Sequence, residues 1–389
     1  MTEIEHRKIL DTIRACLPAA YQKAALHEPL FAGNEWKYVK DCLDTGWVSS
    51  AGEYVGRFER MLEEFTGARH AIAAVNGTAA LHICLLLVGV RPGDEVLIPS
   101  LTFIATANAV SYCGAVPHLV DSEERTLGLD PIALAAYLAR IAEVRNGECI
   151  NRASGRVIRA VMPMHTFGHP VDLDPLVELC ARFRIALVED AAESLGARYK
   201  GKQTGNSGSV AGLSFNGNKT VTTGGGGAIL TNDDEIARRA KHLTTTSRIP
   251  AGYEFIHDEL GYNYRLPNIN AALGVAQLEQ LPEFIARKRR LTARYAEAFR
   301  NVQAIRFFTE APFAESSYWL NTLLLDSTDI AERNALLDFL NANGIGARPV
   351  WRLMHELPIY AGCPRMDLAQ AENLAARIIN IPSSVFLSE

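Results

Sequence analysis

The sequence contains no CxxC pair, and its seven cysteines are scattered at 16, 42, 84, 113, 149, 180 and 363. An odd count without close spacing argues against a disulfide framework and against a cysteine zinc site. Isolated cysteines of this kind read as buried apolar side chains in a reducing compartment. A basic surplus is also missing: 39 Lys and Arg stand against 44 Asp and Glu, a net charge of −5. That balance disfavours a dominant nucleic-acid role and leaves room for a local basic patch. The most apolar stretch, Thr78 to Val90, carries His82 and is too short to span a bilayer. The first ten residues lack the apolar centre of a secretory signal. No low-complexity tract, charge block or internal repeat interrupts the chain. The expectation is a cytoplasmic protein with neither a membrane nor a nucleic acid as partner.

What is present is ordinary for a globular chain: 389 residues, 48% hydrophobic and 21% charged. Such a chain buries a core without disulfides or a structural metal. Apolar residues at near-helical spacing predict a helix over 3–17. From about residue 54 the pattern alternates. Helices are expected at 54–66, 78–88, 103–113, 131–140 and 174–184. Strand-like runs fall at 71–75, 95–98, 116–120, 157–161 and 185–189, with shorter ones at 209–213 and 228–231. Strands separated by helices imply βαβ units and a mostly parallel sheet with helices on both faces. Beyond residue 250 the character changes. A long helix over 268–301, bent near Pro282, is followed by a strand at 320–325, a helix at 329–342 and a last helix at 366–380. The expected division is an N-terminal helical segment (1–30), a large α/β domain (31–250) and a smaller α+β domain (251–389).

Three segments carry chemistry. Asn76-Gly77-Thr78-Ala79-Ala80 joins an expected strand to an expected helix. It is either a phosphate cradle at a helix N-terminus or a plain N-cap. Asp190 and Glu193 follow an apolar strand. Ligands of open α/β sheets bind beyond the carboxyl ends of strands, so Asp190 could hold a cation, a metal or a protonated ring nitrogen; an N-cap or surface acid is the alternative. Lys219 lies between small polar residues and the glycine run 224–227. A sheltered lysine is a candidate nucleophile, and four glycines let backbone approach a ligand closely. The alternative is a flexible surface loop with a solvated lysine. Together, an anion cradle, a strand-end acid and a sheltered lysine are what pyridoxal phosphate needs: an anchor, a partner for the ring nitrogen and an amine for the Schiff base.

Five ordered motifs carry a resemblance. They are Asn-Gly-Thr-Ala-Ala-Leu at 76–81, Pro-Ser-Leu-Thr-Phe-Ile-Ala-Thr-Ala-Asn at 99–108, Glu-Asp-Ala-Ala-Glu-Ser-Leu-Gly at 189–196, Ser-Phe-Asn-Gly-Asn-Lys at 214–219 and Leu-Gly-Tyr-Asn-Tyr-Arg-Leu at 260–266. From about residue 30 onward the chain resembles the DegT-type sugar-nucleotide aminotransferases, which are fold-type I pyridoxal-phosphate enzymes. The resemblance implies that Lys219 binds the cofactor covalently and acts as general base, and that Asp190 pairs with the pyridine nitrogen. It places Phe103 over the ring, Gly77, Thr78, Ala79 and Ser214 at the phosphate, and His165 beside the cofactor. Asn263 would reach the phosphate in a neighbouring subunit, making a homodimer with shared sites. Glu193 departs from the Gln or His of many relatives and would lie near the phenolic oxygen.

The branch that looks closest, from Asn-Gly-Asn before Lys219 and from residues 347–355, aminates UDP-linked 4-keto-6-deoxy-N-acetylhexosamines, with glutamate as donor and 2-oxoglutarate as product. Arg348, Trp351, Arg352 and His355 are the candidate nucleotide contacts, because Arg forks phosphate and aromatics stack on a base. An Arg packed over Trp within the small domain is the alternative. No metal is expected: His165 and His169 have HxxxH spacing, but Gly168 and Pro170 spoil a ligand helix. A same-fold sugar dehydratase, expected to lack the lysine, and a non-catalytic relative are the rival readings.

Overall fold

The computed structural model describes residues 1–21 and 23–388. Seven strands form its central sheet: β1 (His70–Ala74), β2 (Glu95–Pro99), β3 (Val116–Val120), β4 (Ile158–Val161), β5 (Ala186–Asp190), β6 (Val210–Ser214) and β7 (Gly227–Thr231). Their spatial order is β1-β7-β6-β5-β4-β2-β3. The pairs from β6 through β5, β4 and β2 to β3 are parallel. Only β7 runs against its neighbours, pairing antiparallel with both β1 and β6. The two short runs expected at 209–213 and 228–231 therefore belong to this same sheet.

The strands are apolar on both faces because helices cover both, as parallel strands require. In chain order the helices up to residue 250 are α1 (Glu3–Cys16), α2 (Glu35–Thr45), α3 (Glu53–Thr66), α4 (Gly77–Leu87), α5 (Ile104–Tyr112), α6 (Pro131–Ile141), α7 (Leu173–Phe183) and α8 (Asp234–Thr244). Ile72, Val96, Ile98, Val188 and Ile229 bury against α4, α5 and α8. Their strand neighbours Ala71, Ala73, Leu97, Leu187 and Leu213 face α3, α6 and α7 on the other side. This is the period-two alternation of a strand. The amphipathic helices α2 and α8 were not read from the sequence; both are charge-rich, and their apolar stripes are short.

The expected helix over 268–301 is two helices, α9 (Asn268–Leu278) and α10 (Leu281–Phe299). Pro282 lies in the first turn of α10 instead of bending one long helix. There its missing N–H costs nothing, since first-turn amides have no helical acceptor. A second, antiparallel sheet follows in the order β8 (Ile305–Phe307), β9 (Asn321–Leu325), β11 (Ile378–Ile381), β10 (Arg348–Pro349). The helices α11 (Ile330–Ala342) and α12 (Ala369–Arg377) pack with it. The helix expected over 366–380 thus ends at Arg377. Ile378, Ile379 and Ile381 are β-branched and pair with β9, and that tertiary pairing overrides the helical continuation.

Helix α1 joins this second layer. Its Ile9, Leu10 and Ile13 are buried with Leu291 and Tyr295 of α10 and Leu336 and Leu340 of α11. Each such side chain contributes about 1.5–3 kcal/mol of burial. Among the described residues no helix is long and apolar enough to cross a membrane.

Candidate active site

The carboxyl ends of β5 and β6 and the N-terminus of α4 converge on one cleft of about 320 Å³. Its lining includes Gly77, Thr78, Phe103, Asp190, Glu193, Ser214, Lys219, Trp319 and Trp351. A larger recess of about 490 Å³ lies between α2, α3 and Asn268. It contains neither the lysine nor a strand-end acid, so size alone does not select the site.

The anion end is built by close packing. Asn76 caps α4, accepting the Ala79 N–H on its carboxamide oxygen at 2.8 Å. The amides of Gly77 and Thr78 stand in the first turn, where a helix has no acceptor of its own. A Cβ on Gly77 would sit 2.8 Å from the Ser214 Cβ, so only glycine lets α4 begin against β6. Ala79 does not line the cleft; it contributes the amide that Asn76 holds. The glycine run has a different role from the expected one. None of its four residues lines the cleft. Gly227 allows β7 to pass the Asn76 carbonyl, which lies 2.5 Å from where a Cβ would be. Asn270 of α9 secures the run by donating to the Thr223 carbonyl at 2.7 Å.

At the end of β5 the strand alternation separates two carboxylates. Glu189 points away from the cleft. It accepts the His165 Nε2–H at 3.0 Å and the amides of Gly205, Ser207 and Gly208 at 2.7–2.8 Å. Burial works to raise its pKa, and these donors hold it below the ordinary value. Asp190 faces the cleft, with one oxygen on the Thr106 hydroxyl at 2.7 Å and the other on the Ala192 amide at 3.2 Å. Burial pushes its carboxyl up against those hydrogen bonds and the Lys219 charge. The Thr106 hydroxyl lies 2.7 Å from that of Thr102. Neither threonine was singled out from the sequence.

His165 is not at the cleft. It is fully buried behind Asp190, with Nδ1 accepting the Val171 N–H at 3.2 Å and Nε2 facing Glu189. His169 lies apart from it, edge-on to Phe308 and Tyr318, and burial drives its pKa down to about 3.

The lysine end is a cage. The Lys219 amine lies 3.1 Å from Glu193 Oε1 and 3.8 Å from the centre of the Trp319 ring, a cation–π distance. The other Glu193 oxygen accepts the Phe167 N–H at 2.9 Å. Burial pushes the Glu193 carboxyl up to about 7, with Lys219 and the Phe167 amide opposing. Two strained residues shape this wall: Phe167 at φ 55° and Tyr318 at φ 47°. Bulky side chains avoid that region, and each such residue stores about 1–3 kcal/mol. Gly168 lets the two turns meet, since its Cβ would fall 2.4 Å from Ser317 Oγ. Trp319, which closes the cage, is far in sequence from every recognised motif and was not foreseen.

Of the candidate nucleotide contacts, only Trp351 lines the cleft, edge-on to Phe103 with ring centres 5.8 Å apart. Phe103 is half exposed at the mouth. Arg352 is exposed. Arg348 is exposed on the edge strand β10, donating to the Asn341 oxygen at 3.4 Å. His355 is drawn inward, its Nδ1 2.9 Å from the Ser100 hydroxyl. Asn263 is exposed, outside this cleft, with Arg265 donating to its side-chain oxygen at 3.3 Å.

Helix-terminal amides beside a serine hydroxyl suit a phosphate. A buried carboxylate with lone pairs left toward the cleft suits a protonated ring nitrogen. A lysine amine within the same 320 Å³ suits an aldehyde. The donor set fits pyridoxal 5'-phosphate.

Fold and site together define an α/β aminotransferase. The match to the family model over residues 30–389 confirms it: the chain belongs to the DegT/DnrJ/EryC1/StrS aminotransferase family. It is a sugar aminotransferase that uses pyridoxal phosphate. It is 39% identical to the GDP-perosamine synthase of Caulobacter vibrioides over 93% of each chain. It is 36% identical to the enzyme of the same name from Escherichia coli O157:H7, over 93% of this chain and 94% of that one. The crystal structure of the aminotransferase TlmJ from Streptoalloteichus hindustanus superposes with a TM-score of 0.83 at 27% identity, covering 93% of both chains.

Proposed function

We propose that the protein transfers an amino group from glutamate to the C4 carbonyl of a GDP-linked 4-keto-6-deoxyhexose. The observation that carries the chemistry is the Lys219–Glu193 contact of 3.1 Å in the cleft that also holds Asp190 and the start of α4. When bound, pyridoxal phosphate supplies an electron sink and carries the amino group between donor and acceptor.

The chain's own residues do the rest. The first amides of α4 and the Ser214 hydroxyl hold the phosphate. Asp190, fixed by Thr106, keeps a proton on the ring nitrogen. The Lys219 amine anchors the cofactor and, once free, takes the proton from the donor's Cα; in the second half-reaction it returns a proton to the sugar's C4. Glu193 keeps that amine directed into the cleft whenever it is free. Phe103, Trp319 and Trp351 exclude water from the reacting atoms.

The nucleotide is assigned from the relatives. GDP-perosamine is a nucleotide-linked 4-amino-4,6-dideoxyhexose, which agrees with amination at C4 of a 6-deoxy sugar. The UDP-linked N-acetylhexosamine suggested by Asn-Gly-Asn before Lys219 and by residues 347–355 gives way in this proposal. Of its four candidate contacts, His355 is committed to Ser100, and neither arginine distinguishes guanine from uracil. Arg352, exposed beside Trp351, remains our proposed diphosphate contact.

The enzyme is proposed to act as a homodimer, with Asn263 completing the partner's phosphate site. Support comes from exposed apolar side chains in the stretch of chain that leads to it: Phe255 is 73% and Leu260 77% exposed.

The test is a panel of GDP- and UDP-linked 4-keto-6-deoxy sugars incubated with glutamate and read by mass spectrometry. Formation of the GDP-linked amino sugar with 2-oxoglutarate is expected. Preference for a UDP sugar would overturn the nucleotide assignment, and no amination of any sugar would overturn the function.

A further inference from the structure

Lys288 of α10 is 1% exposed, and its amine touches no carboxylate among the described residues. It donates to the Ser383 carbonyl at 2.6 Å and the Trp319 carbonyl at 3.2 Å. Its third contact is His27 Nε2 at 3.0 Å. Burying an amine among neutral acceptors is costly, and an apolar side chain of the same length would suit the core better. Burial accordingly pulls the Lys288 pKa down to about 7. Stability therefore does not explain this lysine.

Its partners do. They come from three distant parts of the chain, and one of them is the wall of the active-site cleft. The Trp319 indole lies over the Lys219 amine at 3.8 Å, and its Nε1–H donates to the carbonyl of Asn218, the residue before Lys219, at 2.7 Å. Fixing Trp319 thus fixes both the peptide that carries Lys219 and the platform under its amine. His27 belongs to the segment that precedes the family match at residue 30. Its ring is 6.5 Å from that of Trp319, and burial together with the charges of Lys288 and Lys219 holds its pKa well below the ordinary value. The backbone brings His27 there through neighbouring bonds: the Ser383 N–H to the Leu26 carbonyl at 2.8 Å, and the Glu28 N–H to the Ser384 hydroxyl at 2.9 Å.

We propose that Lys288 and His27 form a positioning pair that sets Trp319 and, through it, the orientation of the Lys219 amine in the cleft. The inference rests on Lys219 being the residue that binds the cofactor.

The test uses the cofactor-loaded full chain carrying Lys288→Met, Lys288→Gln or His27→Phe. The readouts are visible-band circular dichroism, which reports how the cofactor is held, the division of effect between kcat and KM, and thermal melting. Lys288→Met is expected to weaken the visible dichroism and lower kcat about tenfold or more, the scale of a small misplacement of reacting groups. KM for the sugar nucleotide should be unchanged. Lys288→Gln, which keeps two N–H donors for the carbonyls, should recover part of both signals. Should Lys288→Met fail to fold, His27→Phe carries the test at a less buried position, with the same direction and a smaller change. Folded variants with wild-type dichroism and kcat, and only a lower melting temperature, would overturn the proposal. Lys219→Ala separates the two readings: retention of the visible band there would remove Lys219, and this inference with it, whereas loss of the band alongside silent Lys288 and His27 variants would remove the positioning pair alone.

Discussion

At the scale of single residues, the site is governed by where burial and hydrogen bonding pull against each other. Glu189 and Asp190 are adjacent in sequence and opposite in character. Four donors hold Glu189 low, while burial lifts Asp190. Glu193 is the third acid of the segment, and burial pushes its carboxyl up to about 7. Its folded-state pKa is raised above the unfolded value, so the protonated form favours folding. The stability it contributes is complete below the ordinary pKa of 4.5 and is lost as pH rises through about 7. Glu193→Gln removes this titration. Melting curves of cofactor-free wild type and variant should converge at about pH 5 and separate toward pH 8, with the variant melting higher. Parallel curves across that range would show that Glu193 is ionised throughout.

At the scale of elements, the cleft exists because two backbones approach more closely than side chains permit. The glycine run was read as room for a ligand, and in the structure it is room for Asn76. That reading failed because spacing along a chain does not say which neighbour fills the space a Cβ would take. The distinction is measurable within the run itself. Gly227→Ala would place a Cβ 2.5 Å from the Asn76 carbonyl group, whereas a Cβ on Gly225 meets nothing within 4 Å. Gly227→Ala should cost about 1–3 kcal/mol in urea unfolding, the usual penalty of overpacking. It should also weaken cofactor binding by displacing the start of α4. Gly225→Ala should leave both unchanged. A well-folded Gly227→Ala protein with full cofactor affinity would mean that the α4 terminus is not the anion site.

At the scale of the whole molecule, Asn263 is exposed and lies outside the cleft of its own chain. If two copies share their sites, an inactive Lys219→Ala chain mixed with an inactive Asn263→Ala chain should regain activity. One hybrid site then carries both intact residues, and random association gives about a quarter of wild-type activity per site. A sedimentation profile of a fully active monomer, or no recovery on mixing, would refute the shared site. At the same scale, α1 packs on α10 and α11, and His27 meets the Lys288 amine at 3.0 Å.

Read alone, the sequence determined the parallel α/β sheet, because alternating strands and helices leave few other packings. It also determined the candidacy of Lys219, Asp190 and the Asn76–Ala79 turn, because each motif is local and its chemistry is carried by adjacent residues. Tertiary structure decided what depends on distant chain segments. The strand at 378–381 formed because β9 was there to pair with it. His165 went behind Asp190 because Glu189 accepts a hydrogen bond from its Nε2–H. The cage around Lys219 closes only when Trp319, Phe167 and Glu193 come together across 152 residues. No local pattern marks such contacts: the groups that make them meet only in the folded chain, where burial away from water strengthens the hydrogen bonds they form.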